Sequence, residues 1–118
     1  MHEVSLAIEI VRTIVDAATA NGALRVESAE IELGDLTCVD PETLRFAFEV
    51  ARKDTVAANC VLHIHPVALV VRCAACGFEG AQSREELFCP DCEQSSLSIL
   101  KGRELRVLSI EVEDLQDA

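Results

Sequence analysis

The sequence contains no Trp and no Tyr, and Phe, at four positions, is its only large aromatic residue. Half of the 118 residues are nonetheless hydrophobic, so we expect a core of Val, Ile, Leu and Ala side chains. No apolar run approaches the roughly 18 residues that would span a bilayer. A membrane protein, and a surface on which nucleic-acid bases stack, are therefore not expected.

Positive charge is also scarce, with ten Lys and Arg against 21 Asp and Glu and a formal net charge of −11. Such a charge opposes binding to nucleic acid. Met1–Glu3 is polar and charged where a secretory signal peptide would become apolar, so a cytoplasmic location is expected. In that reducing compartment, structural disulfides are not expected.

Two closely spaced cysteine pairs are the main motif of the chain. Both have C-x2-C spacing, and twelve residues separate them: Cys73 with Cys76, and Cys89 with Cys92. Four thiolates at this spacing can close a tetrahedron around one structural zinc ion. Gly77 suits the positive φ of the first tight turn, whereas the second turn has Glu93 at the equivalent position.

Other uses of the four cysteines are a dithiol redox pair, two disulfides or an iron–sulfur cluster. The surrounding sequence favours none of them. A zinc ion held by four protein thiolates has no open coordination position for water, so zinc-dependent hydrolysis at this site is not expected. Two other functions stay open: a zinc-ribbon protein-interaction or transcription module, and a small oxidoreductase that uses Cys73 and Cys76.

Hydrophobic periodicity predicts an α+β fold of two helices on a roughly three-stranded sheet, with an inserted four-cysteine zinc-ribbon module. Helical spacing runs from Val4 to Ala18, and a second helix starts at Asp40-Pro41 and ends near Lys53. Alternating patterns predict three strands, Ala23–Leu33, Cys60–Arg72 and Glu104–Glu113. The first strand changes phase near Glu27-Ser28, and Pro66 indicates an edge position or a break in the second. We predict one α/β domain from residues 1–72 with 104–113, and a zinc ribbon over 73–98.

The N-terminus carries a second possible metal site. The terminal amine of Met1, the amide nitrogen of His2 and its imidazole Nδ1 can form two fused chelate rings. Such a planar nitrogen set suits Ni(II) or Cu(II), and Glu3 can add an oxygen. Taken alone, a histidine at position 2 is more often part of a solvated terminus.

Several segments together closely resemble the HypA/HybF family of hydrogenase nickel-incorporation proteins. They are Met1-His2-Glu3 before an amphipathic helix, Pro41–Phe48, the spaced cysteine pairs and Gly102–Val107, and the resemblance covers nearly the whole chain. The resemblance implies a nickel metallochaperone rather than an enzyme. It implies that Met1, His2 and Glu3 hold Ni(II) as the transported metal and that the four cysteines hold a structural zinc ion. Asp40 matches a further nickel-site carboxylate of some relatives, although a helix N-cap already accounts for it.

The resemblance also implies partners. These are the nickel-handling GTPase HypB, the large subunit of [NiFe] hydrogenase and, in some organisms, urease maturation proteins; the chain itself is expected to be a monomer or a homodimer. Two further pairs are interpreted as incidental. His63 and His65 share one face of a strand, and Cys38 and Cys60 are expected to be free thiols in a loop and in the core.

Overall fold

The structure is a computed structural model that describes residues 3–86 and 88–113. Its elements in chain order are α1 (Glu3–Ala20), β1 (Arg25–Gly34), a 3-10 turn (Asp35–Thr37), α2 (Pro41–Ala51), β2 (Val61–Val67), β3 (Val70–Cys73), β4 (Glu79–Ala81), β5 (Leu97–Lys101) and β6 (Leu105–Glu113). Within the described ranges, no helix is long and apolar enough to cross a membrane. The α+β class predicted from the sequence is confirmed.

The helix α1 forms because its hydrophobic residues recur every three or four positions and bury one face. The buried side chains of that face are Leu6, Ala7, Ile10, Val11, Ile14 and Ala18. After the last turn, Gly22 takes a left-handed φ of 68°, and the side-chain amide of Asn21 donates to the Ala17 carbonyl at 2.7 Å. The Asn21-Gly22 pair therefore caps the C-terminal end of the helix.

The second helix packs against the first and supplies the largest fully buried side chain, Phe48. Leu44 and Ala47 are buried beside it along one face of α2. Apart from this single aromatic ring, the buried side chains of the two helices and of β1 and β2 are aliphatic. Ala57 and the Cys60 thiol are buried as well. The expectation of an aliphatic core is confirmed.

The strand β1 changes phase along its length. Ala29, Ile31 and Leu33 are buried on one parity, but Val26 is fully buried on the other. Two buried residues three positions apart cannot both point inward from a regular strand, since side chains alternate between the two faces. The change of phase seen in the sequence thus recurs in the burial pattern, and the irregularity near Glu27 stays a prediction.

The strand β2 is an edge of a three-stranded sheet with the order β2-β1-β6. The prediction of one continuous strand over Cys60–Arg72 was wrong, because the chain leaves β2 after Pro66-Val67 and starts β3 at Val70 in a different sheet. Proline lacks the N–H that a ladder needs and so favours both an edge position and a strand end. The break that Pro66 indicates is therefore found.

The second sheet has the order β4-β3-β5, with both pairs antiparallel. In the register of β3 with β4, Val71 lies opposite Gly80. In the register with β5, Cys73 lies opposite Leu97, and the pairing is irregular between Val70 and Val71. The first zinc-ligand candidate therefore stands at the end of the central strand of this sheet.

The chain divides into two compact units. The first comprises Met1–Glu32, Val39–His65 and Arg106–Ala118, and the second comprises Leu33–Cys38 and Pro66–Leu105. The second unit thus contains the ribbon predicted over 73–98 together with flanking segments that the sequence assigned to the first domain. The predicted division into separately folding domains stays a prediction.

Hydrogen bonding explains why Leu33–Cys38 groups with the second unit. The Gly34 N–H donates to the Glu104 carbonyl at 2.6 Å, and the Leu36 N–H donates to the Gly102 carbonyl at 2.8 Å. These bonds join segments far apart in sequence, and no local hydrophobic pattern predicts them.

Candidate metal centre

The first cysteine turn begins where β3 ends. The Cys73 N–H donates to the Phe78 carbonyl at 2.7 Å, and the Gly77 N–H donates to the Cys73 carbonyl at 2.9 Å. Gly77 has a φ of +83°, the left-handed conformation predicted for it. The chain therefore reverses within five residues and turns Cys73 and Cys76 toward a common centre.

The second turn repeats this pattern residue for residue. The Cys89 N–H donates to the Gln94 carbonyl at 2.8 Å, and the Glu93 N–H donates to the Cys89 carbonyl at 2.9 Å. Glu93 takes the φ of +60° that glycine takes in the first turn, although a side chain makes this conformation unfavourable. An additional bond runs from the Asp91 N–H to the Cys89 sulfur at 3.4 Å.

The two turns bring four sulfur atoms together. The Sγ atoms of Cys73 and Cys92 are 3.6 Å apart, as are those of Cys76 and Cys89, and all four lie within 4.8 Å of one another. A tetrahedron with Zn–S bonds of about 2.3 Å has edges of about 3.8 Å, whereas a disulfide bond is only about 2.0 Å long. The donor set and its spacing therefore fit one zinc ion.

The thiols of this cluster differ in acidity. Hydrogen bonding from the Cys76 backbone lowers the pKa of the Cys73 thiol to about 7. For Cys76 the Phe78 backbone acts to lower the pKa, but burial and the thiols of Cys89, Cys92 and Cys73 together raise it to about 12. The Cys73 thiolate therefore forms readily, whereas the raised pKa of Cys76 opposes a second thiolate beside it, so ionisation of the cluster favours a cation at its centre. Bound zinc would supply that charge and link the two turns.

The structure brings together two of the four residues predicted at the nickel site. Glu3 is the first residue of α1, and Asp40 is the N-cap residue of α2. The Asp40 N–H donates to Glu3 Oε2 at 3.2 Å, and this bond lowers the pKa of the Glu3 carboxyl. Residues 37 positions apart in sequence therefore meet at the starts of the two helices.

Asp40 has a partner that the sequence analysis missed. The Thr43 hydroxyl donates to Asp40 Oδ2 at 2.6 Å, and this bond lowers the pKa of the Asp40 carboxyl. The N-cap position predicted for Asp40 is confirmed, but its carboxylate accepts from this hydroxyl, and a side-chain cap bond to the backbone is absent. A hydroxyl residue three positions after the cap was the signal available in the sequence.

Met1 and His2, the other two predicted nickel ligands, lie outside the described residues. Glu3 is described and partly exposed, and its carboxylate faces the Asp40 backbone. The Glu3 and Asp40 carboxyls both have lowered pKa values, so two negative charges lie at the helix starts at neutral pH.

The remaining candidates form no comparable cluster. His63 and His65 are both exposed, and His65 Nε2 lies 2.5 Å from the Glu30 carboxylate. Cys38 is an exposed thiol and Cys60 a buried one, as expected. Within residues 3–86 and 88–113, the four-cysteine cluster is the one group of three or more such side chains close enough to hold a metal ion.

The comparison with protein families identifies the family of this chain. The model described as "Hydrogenase/urease nickel incorporation, metallochaperone, hypA" matches residues 1–112. The chain belongs to the HypA family. Proteins of this family are nickel-incorporation metallochaperones of hydrogenase maturation that bind nickel and a structural zinc, so the zinc-binding geometry of the four sulfurs is the one expected.

Relatives match this chain over almost its whole length. The hydrogenase maturation factor HypA of Chlorobium limicola is 36% identical over 114 residues, which cover 97% of this chain and 98% of that protein. That of Desulfatibacillum aliphaticivorans is 36% identical over 118 residues, with 99% and 91% covered. The solution structure of the Ni metallochaperone HypA from Helicobacter pylori superimposes with a TM-score of 0.69 at 24% identity, covering 95% of this chain and 97% of that one. The fold is therefore shared.

Proposed function

We propose that this chain binds Ni(II) through Met1, His2 and Glu3 and delivers it to the large subunit of [NiFe] hydrogenase during maturation. Family membership supports the class of function. The observation that carries the site is the meeting of Glu3 with Asp40 at the starts of both helices. This arrangement supplies carboxylates beside the terminal nitrogen ligands.

The proposed coordination follows from chelate geometry. The Met1 amine, the His2 amide nitrogen and the His2 imidazole Nδ1 offer three nitrogens in one plane, an arrangement suited to Ni(II). Glu3 contributes a carboxylate oxygen, and Asp40 is close enough to contribute a second or to hold Glu3 in place. Each nitrogen must lose a proton before it binds, so nickel affinity falls on acidification.

The zinc ion is proposed to serve as a scaffold held by Cys73, Cys76, Cys89 and Cys92. Four protein thiolates leave no position for water or substrate, so the zinc neither catalyses hydrolysis nor travels with the cargo. The function is exchange of nickel between proteins, with no catalytic turnover.

The partners proposed for the exchange are the GTPase HypB and the hydrogenase large subunit, with urease maturation proteins as further candidates, all in the cytoplasm. The net charge of −11 favours these protein partners over nucleic acid and counts against a transcription module. Nickel would leave when a partner offers a better ligand set.

Nickel titration of the untagged, zinc-loaded protein tests the site. His2→Ala should weaken nickel binding by more than about 100-fold, since loss of an outer-shell partner alone typically costs about 10–100-fold. A Gly-Ser extension before Met1 should act likewise, because it moves the free amine away from His2. His63→Ala is the matched control and should bind nickel like the parent. Parental affinity in both N-terminal variants would show that the proposed site is wrong.

Asp40→Asn separates the two roles of Asp40. Asparagine caps helices as well as aspartate does, so α2 should still form, with only the small loss of stability that removal of the charge brings. If the carboxylate charge serves nickel, the variant should bind nickel more weakly while its helix content, followed by circular dichroism, stays that of the parent. Unchanged nickel affinity would restrict Asp40 to its cap position and to its contact with Glu3.

Zinc analysis tests the cysteine assignment. Serine in place of Cys76 or Cys92 should lower the zinc content below one ion per chain, whereas Cys38→Ser, at an exposed thiol outside the cluster, should leave it unchanged. Full zinc content in both cluster variants would contradict the assignment.

A further inference from the structure

A cavity of about 270 Å³ lies between α2 and the edge strand β2. It is lined by Arg45, Phe48, Glu49, Arg52, Asn59, Cys60, Val61 and Leu62, all within the first compact unit. Its lining concentrates two of the ten basic residues of a strongly acidic chain. We call it the Arg45–Arg52 cavity.

Both guanidinium groups are held in place by backbone oxygens. Arg45 Nη1 donates to the Leu62 carbonyl, and Arg52 Nη1 donates to the Cys60 carbonyl. These carbonyls are two residues apart and therefore point to the same side of the strand. A guanidinium has five N–H donors, so each arginine is oriented by one bond and keeps donors for a ligand.

In the part of the chain that the structure describes, neither guanidinium has a counter-ion. Four other arginines contact carboxylates: Arg12, Arg25, Arg84 and Arg106. Across residues 3–86 and 88–113, Arg45 and Arg52 form no ion pair and contact only neutral carbonyl oxygens. Two fixed, unpaired positive charges at one cavity are the arrangement that recognises an oxyanion.

We propose that the Arg45–Arg52 cavity binds a small oxyanion, a carboxylate or a phosphate, through the two guanidinium groups. Pockets for drug-sized ligands measure about 300–1,000 Å³, so this cavity suits a free phosphate or one acidic side chain and is too small for a nucleotide. None of the residues that line the cavity is a predicted nickel ligand or one of the four clustered cysteines, and the two guanidinium groups would attract an anion to this acidic protein.

Glu49 limits the affinity of the site. It lies one turn from each arginine on α2 and lines the same cavity, but it forms no ion pair with either of them in the described part of the chain. The negative charge of Glu49 repels an incoming anion, whereas the two arginines attract it, so Glu49 lowers the affinity that the arginines provide. Binding is therefore reversible, and removal of the Glu49 charge should strengthen it.

The test is a titration of the zinc-loaded, full-length protein with inorganic phosphate, followed by backbone amide NMR shifts. Saturable shifts are expected at α2 and at residues 59–62. Arg52→Gln should weaken phosphate binding by about tenfold, the size of one charge-assisted hydrogen bond, and Glu49→Gln should strengthen it by a similar factor. Arg12→Gln changes the net charge as Arg52→Gln does but lies on the exposed face of α1, and it should leave binding unchanged.

Sodium acetate, titrated at matched ionic strength, distinguishes the two sources of the oxyanion. Tighter binding of acetate than of phosphate identifies a carboxylate site for an acidic protein side chain, and the reverse order identifies a site for free phosphate. Glu49→Gln is expected to increase phosphate affinity, and misfolding of the variant would not produce such an increase. Equal phosphate affinity in the parent and in Glu49→Gln, or an equal loss in Arg12→Gln and Arg52→Gln, would overturn the proposal.

Discussion

Replacement of Gly34 by alanine should destabilise this protein through a direct collision of backbone and side chain. The backbone at Gly34 has φ −74° and ψ 148°, which any residue adopts, so alanine meets no conformational penalty there. An added Cβ, however, would lie 2.1 Å from the Gly102 oxygen, 2.3 Å from the Gly102 carbon and 2.7 Å from the Glu104 nitrogen. All three obstacles are backbone atoms, which cannot rotate away as a flexible side chain can.

The cost follows from the bonds that must shift. Relieving the overlap moves the two chains apart where Gly34 donates to Glu104 and Leu36 donates to Gly102. Overpacking typically costs about 1–3 kcal/mol, and loss of one backbone hydrogen bond adds about 1 kcal/mol. Alanine also reduces the conformational entropy of the unfolded chain, which offsets about 0.4–1 kcal/mol of this loss. We expect a net loss of roughly 1–4 kcal/mol.

Urea unfolding of the zinc-loaded protein measures this loss as a lower midpoint. Gly77→Ala is the comparison, because a Cβ there meets no atom within 4 Å and only the positive φ of +83° opposes it. That conformational penalty is about 1–2 kcal/mol. A Gly34→Ala midpoint equal to that of the parent would refute the steric argument.

Three further predictions follow from single contacts. Phe48→Ala should lower the free energy of unfolding by about 3–5 kcal/mol in urea, whereas Phe46→Ala, at a ring that is 70% exposed, should change it by less than about 0.5 kcal/mol. Thr43→Val should raise the pKa of Asp40 in an NMR titration, because it removes the hydroxyl that donates to the carboxylate. The folded-state pKa of the parent lies below 3.8, so the ionised carboxylate stabilises the fold above that pH. This stabilisation is lost as the pH falls through the folded-state pKa. Removal of zinc by a chelator should abolish the dispersed amide NMR signals around Cys76, since its ligand bonds hold the two turns together.

The helices and the cysteine turns could be predicted because their signals are local. The apolar positions of α1 repeat within a few residues, and the C-x2-C spacing brings each sulfur pair together whatever surrounds it. The unfavourable left-handed backbone conformation of Glu93 could also be predicted, because the equivalent residue of the first turn is Gly77. Pro66 likewise marked the end of β2.

The remaining features depend on contacts between residues distant in sequence. The association of Gly34 with Glu104 needs backbone bonds across 70 positions, and nothing in the alternation of either strand specifies the pairing. Arg45 and Arg52 were missed for a different reason. On an amphipathic helix, arginines seven residues apart match an ordinary solvated face, and only the carbonyls of β2 distinguish them from it.

The position of the proposed nickel site suggests why its carboxylates are needed. Glu3 begins α1 and Asp40 caps α2, so a nickel ion bound by these carboxylates would adjoin two helix N-termini. The N-terminal end of a helix carries a partial positive charge that attracts anions and disfavours a cation. Two ionised carboxylates offset this field, whereas neutral ligands alone would leave Ni(II) facing two positive ends. In the proposed site, Ni(II) would be held between favourable carboxylates and unfavourable helix dipoles, and this opposition would weaken its binding enough to favour transfer to a partner protein.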